Sequence, residues 1–155
     1  MVKIRKKVRV YQTPLERNHF TYRMEQQEPI IHEKKNFYKV LFANPLVEEV
    51  IERPFLFTDN ATPMALIKSF IPDMYIKRNL MTSSNLELKI DDFYQIDKIK
   101  KEYSLTWPTS EEAEVLQIIG DGQIMIEKQF FLDSDNHIIR YEEEVSCPET
   151  YIFEE

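Results

Sequence analysis

The sequence predicts an α+β domain: one antiparallel β-sheet with helices packed on one face, built from an internally duplicated helix-then-hairpin unit. Three observations carry this expectation. Strand-like runs recur along the chain, two of the connections between them are hairpin turns by composition, and three stretches have helical spacing or helix caps. The two hairpins also share the pattern F-L-x-x-D-N-x11-P. A shift of 76 positions pairs Phe55 with Phe131, Leu56 with Leu132, Asp59 with Asp135, Asn60 with Asn136 and Pro72 with Pro148. Two unrelated hairpins drawing on common turn residues are the plainer explanation of the same pattern.

Taken in order, Val2, Ile4, Val8 and Val10 alternate with Lys3, Arg5, Lys7 and Arg9, as on a half-exposed strand. Phe37 to Phe42 reads as a strand. Asn44 followed by Pro45 is a cap and first-turn pair that opens a short helix through Leu46, Val47, Val50 and Ile51. Phe55 to Thr58 and Met64 to Ile71 read as strands flanking the turn Asp59-Asn60-Ala61-Thr62-Pro63. Residues 86 to 103 place Phe93, Ile96, Ile99 and Tyr103 at helical intervals, a face suited to covering a sheet. Thr109 and Glu112 form a capping box ahead of Ala113, Leu116 and Ile119. The second hairpin runs from Ile124 to Leu132 and from Ile138 to Cys147, around the turn Asp133-Ser134-Asp135-Asn136-His137.

At 155 residues the chain fits a single domain, residues 1–155, large enough to bury a core. One cysteine, Cys147, rules out an internal disulfide. His19, His32 and His137 lie far apart, so no metal site is expected. No apolar run reaches the length of a membrane span, and the basic start lacks the apolar stretch of a signal peptide, which points to the cytoplasm and to no membrane partner. With only Gly120 and Gly122, no phosphate loop or dinucleotide fingerprint is available, and no cofactor is expected. The net charge of −7 is uneven: residues 1 to 40 carry 10 basic and 4 acidic side chains. No aromatic residues interleave the basic start as stacking platforms would, so a nucleic-acid partner is not expected there.

The charges inside the strand-like runs carry the functional argument. Lys68 stands in the run Met64-Ala65-Leu66-Ile67-Lys68-Ser69-Phe70-Ile71, apolar on both parities except at Lys68 and Ser69. It either snorkels out at an edge or meets an anion. The 76-residue shift lays Lys68 over Glu144, which shares a strand face with Arg140, Glu142 and Ser146. The run Glu142-Glu143-Glu144 taken alone reads as a solvated acidic strand, and Arg53 alone as a cation near a helix C-terminus. Joined, Arg53, Lys68 and Glu144 would make a site for a small dianion, with the carboxylate left to handle a proton.

Arg53, Pro63, Lys68, Ser69, Ile71 and Pro72 together resemble the first hairpin of chorismate lyase, and E-E-V-S-C-P resembles that family's closing strand. The resemblance covers about half the chain. It implies elimination of pyruvate from chorismate to give 4-hydroxybenzoate without a cofactor. Arg53 and Lys68 would each hold a carboxylate of this ring compound, and Glu144 would protonate the departing ether oxygen. Met64, Leu66 and Phe70 would form the apolar pocket, and Arg140 would complete the substrate-binding set. Lys68 departs from the family's arginine and loses bidentate recognition. The C-terminal run D-x-D-N-x-I-I-R-Y-x9-Y-I-F resembles a second family of the same fold, the UTRA effector-binding domains of GntR-type transcription regulators. That family's arginine pair would fall on Phe55 and Phe57, so a phosphosugar effector is not implied, and no helix-turn-helix is read ahead of the domain.

Overall fold

The computed structural model describes residues 4–7, 11–12, 23–33, 36–59, 62–76, 85–120, 122–147 and 151–154. Their elements in chain order are β1 (Ile4–Lys7), β2 (Tyr11–Gln12), β3 (Arg23–Gln26), β4 (Ile30–Glu33), α1 (Asn36–Leu41), β5 (Glu49–Asp59), β6 (Thr62–Pro72), α2 (Leu86–Phe93), β7 (Lys98–Thr106), α3 (Ser110–Val115), β8 (Ile124–Leu132), β9 (Ile138–Ser146) and β10 (Tyr151–Glu154). An eight-stranded antiparallel sheet runs β2-β7-β8-β9-β6-β5-β3, with β4 also pairing β5. Strands β1 and β10 form a separate parallel pair. The α+β class and the antiparallel sheet are as the sequence predicts.

Cross-strand partners share a face, so the register sorts the side chains. On one face Ile71, Ile99 and Phe131 pack against Leu86 and Ile90 of α2. On the other, Val50, Phe70 and Tyr141 pack against Tyr38 of α1 and Phe42 just after it, and Leu66, Ile124 and Val145 pack against Leu116 beside α3. The helices are therefore divided two to one between the faces instead of sharing one. Each face of the sheet carries its own apolar cluster, and each cluster needs its own cover.

Local departures have local causes. Asn36–Leu41 is helical where a strand is expected, because Tyr38 and Phe42 at i and i+4 are buried while Phe37 and Val40 face out. The helix expected after Asn44 is absent: Ala43 takes a left-handed φ of 48°, the Asn44 side chain accepts from the Leu46 N–H, and β5 begins at Glu49. The helix expected over residues 86 to 103 stops at Phe93, where Gln95 turns left-handed at φ 52°, and the chain enters β7. The capping box at Thr109 and Glu112 is formed in both directions.

The two hairpins lie side by side, β6 against β9, and each shifts register just before its turn. Their loops differ. The first closes at Asp59 and Thr62, the second at Leu132 and Ile138. The longer second loop adds an odd number of residues, so a constant shift that keeps β5 and β8 in phase puts β6 and β9 out of phase. Lys68 and Glu144 are not equivalent: Lys68 pairs with Glu143 across the ladder, and Glu144 pairs with Ile67. Asn60, which the repeat sets against Asn136, lies outside the described residues.

Candidate functional site

A band of buried polar side chains crosses the sheet under α2. One cross-strand row reads Arg53, Ser69, Glu142, Gln129 and Lys101, and the next adds Glu144, Glu127 and Tyr103. Arg53 and Arg140 are the largest fully buried side chains, at 1% and 0% exposure. Buried charge of this density requires partners, and α2 supplies two. Glu87 and Asp91, one turn apart, fall on the same stripe as the core residues Leu86 and Ile90. Both Glu87 oxygens accept from Arg53 Nη1 at 2.6 Å, and Asp91 accepts from Arg140 Nε at 2.6 Å and Nη2 at 2.7 Å.

Glu142 also accepts from Arg140 at 2.6 Å, and the Arg140 guanidinium lies 3.5 Å over the Phe131 ring. Lys101 stands 3.2 Å from Glu127, which also accepts from Gln129 Nε2 at 2.7 Å. Burial pushes the Glu87 carboxyl from 4.5 up to about 7, although the Arg53 and Arg140 charges oppose it. Glu87 is thus a carboxyl whose charge changes near neutrality. Among the described residues, Ser69 Oγ and Gln129 Oε1 are buried without a hydrogen-bond partner. They flank Glu142 in the same row and face the α2 side.

The site read from the sequence is divided by the sheet. Arg53, Arg140 and Glu144 share the α2 face. Lys68 is on the opposite face, between Pro54 and Glu143, with Leu66 and Phe70. Met64 packs with Phe57, Ala65 and Ile67. Lys68 therefore does not converge with Arg53 and Glu144, because Lys68 and Ser69 are consecutive in one strand and Ser69 is the residue that faces Arg53. Lys68 instead lines a cavity of about 490 Å³ between the sheet, α3 and the β3–β4 connection.

The sequence reading missed the α2 clamps. The available signal was L-E-x-x-I-D, two apolar and two acidic residues each at i, i+4, but nothing local assigns the acidic pair to Arg53 and Arg140. The ligand atoms of Asp133, Asp135 and His137 lie within 4.8 Å of one another. Asp133 accepts from the backbone N–H groups of Asp135 and His137, so this grouping also serves the hairpin turn. Among the described residues no helix is long and apolar enough to cross a membrane.

The whole architecture is shared with solved structures. PhnF from Mycobacterium smegmatis matches with a TM-score of 0.81 at 12% identity, over 98% of this chain and 70% of that one. The ligand-binding domain of a GntR-family transcriptional regulator from Bordetella bronchiseptica matches with a TM-score of 0.70 at 10% identity, over 98% of both chains. The effector domain of the Mycobacterium smegmatis PhnF matches at 0.73 and 12% identity, over 84% of this chain and 83% of that one. No family model and no curated protein matches the sequence. At these identities the likeness defines a fold, the α+β fold that these structures share.

Proposed function

We propose that this chain is a small-molecule effector-binding domain of the GntR-regulator type, and that its ligand is read on the α2 face through Arg53. The observation that carries this reading is the clamp between Arg53 and Glu87. A fully buried cation on the central sheet is held by a carboxylate on a short helix, and burial disfavours that carboxylate's charge. A ligand carboxylate that replaces Glu87 on Arg53 detaches the first turn of α2 and gives the domain two states, with and without the clamp. The ligand shifts the balance by its preference for the open one. Ser69 and Gln129 offer further hydrogen bonds in the same row.

A small carboxylated ring compound suits Arg53 in this scheme. The lyase reading retains Arg53 and Glu144 on one face but loses the second cation of its dianion clamp, so the effector reading is the better supported. Titration with 4-hydroxybenzoate as the probe, followed by calorimetry, tests it. Binding should be tighter at pH 6, where Glu87 is mostly protonated, than at pH 8, and Arg53→Met should abolish it. Binding of the same strength in Arg53→Met would remove Arg53 from the site.

A further inference from the structure

The cavity on the other face has a different chemistry. Its floor is apolar, with Leu56 and Leu66 from the central hairpin and Val115 from α3. Its volume of about 490 Å³ falls within the usual range for small-molecule sites. One cation points into it. Lys68 is half-buried and has no ion-pair or hydrogen-bond partner among the described residues, on a strand that is paired on both sides. A lysine at a central strand position has no edge around which to snorkel; Glu143 stands across the β6–β9 ladder from it but accepts from the Tyr141 hydroxyl at 2.7 Å, and an anion in the cavity would give Lys68 a counter-charge of its own. Glu111 and Glu114, both exposed on α3, and the exposed Glu28 of the β3–β4 connection bring negative charge to the rim, whereas the deeper Glu52 is engaged by His32 at 3.1 Å.

We propose that this cavity is a second ligand site, separate from the α2 face, that takes an amino carboxylate with an apolar body. The carboxylate meets Lys68, the apolar part lies on Leu56, Leu66 and Val115, and the ammonium faces Glu111 and Glu114. The rim disfavours a second negative charge on the ligand, so dianions are excluded. The site does not depend on the Arg53 reading, since the sheet separates the two.

L-phenylalanine is the test probe, compared by calorimetry with 3-phenylpropionate, which lacks the ammonium, and 2-phenylethylamine, which lacks the carboxylate. Phenylalanine should bind tightest. Lys68→Met should weaken phenylalanine and 3-phenylpropionate about tenfold or more and leave 2-phenylethylamine unchanged. Glu111→Gln with Glu114→Gln should weaken phenylalanine and 2-phenylethylamine and spare 3-phenylpropionate. Methyl resonances of Leu56, Leu66 and Val115 should move on phenylalanine binding. No phenylalanine binding, equal binding by the folded Lys68→Met variant, or shifts confined to Leu86 and Ile90 would each overturn the site. 3-Phenylpropionate binding as tightly as phenylalanine would overturn the zwitterion assignment.

Discussion

Arg53 and Lys68 stand on opposite faces of one sheet: Arg53 is paired across the β5–β6 ladder with Ser69, and Lys68 with Pro54. The sheet between them makes a shared grip on one small dianion impossible. Arg53 is instead clamped by Glu87 of α2, and Lys68 opens into a separate cavity.

Glu87 should leave a mark on the pH dependence of stability. Its folded-state value of about 7 is above the ordinary 4.5, so between these values the folded chain binds more protons than the unfolded one. Stability from this group is present at low pH and is lost as pH rises through that window. Chemical denaturation of the natural protein and Glu87→Gln from pH 4.5 to 8 should show the variant gaining relative stability as pH rises. A parallel pair of curves would mean that Glu87 does not titrate there.

Arg140 should be the costliest single polar residue to lose. Its removal leaves the half-buried Asp91 and the buried Glu142 without their shared cation, a situation that costs about 3–5 kcal/mol. Urea unfolding of Arg140→Leu measures it, and adding Asp91→Leu and Glu142→Leu should restore much of the loss. A loss under 1 kcal/mol, on the order expected of a surface pair, would show that water reaches the cluster.

Thr109→Ala should lower stability by about 1 kcal/mol, because it breaks one arm of a capping box formed in both directions at α3. Thermal unfolding reads the loss. An unchanged midpoint would mean that the α3 N-terminus is frayed in solution.

Incubation with chorismate should release no pyruvate. Glu144 and Arg53 share a face, but Lys68, the expected second cation of the lyase clamp, is on the other. Pyruvate released by the natural protein and lost in Glu144→Gln would restore the lyase reading, with Lys101 or Arg140 as the replacement cation.

The sequence by itself determined what acts over a few residues. Turn residues set both central hairpins, the strand-like run Ile124 to Leu132 coincided with β8, and the capping box placed the start of α3. The tertiary structure decided the rest, because the missing information was relational. Which face a strand residue takes depends on register, and register depends on loop length and on the shifts at Phe57/Thr58 and Phe131/Leu132. One residue of slip separates Lys68 from Arg53. The helix at Asn36–Leu41 is stabilised by a sheet face that receives Tyr38 and Phe42, and six residues are too few to form a stable helix alone. Glu87 and Asp91 acquire their role only when Leu86 and Ile90 seat α2 on the strands that carry Arg53 and Arg140. Apolar packing positions the helix, and its position then determines which buried charges meet.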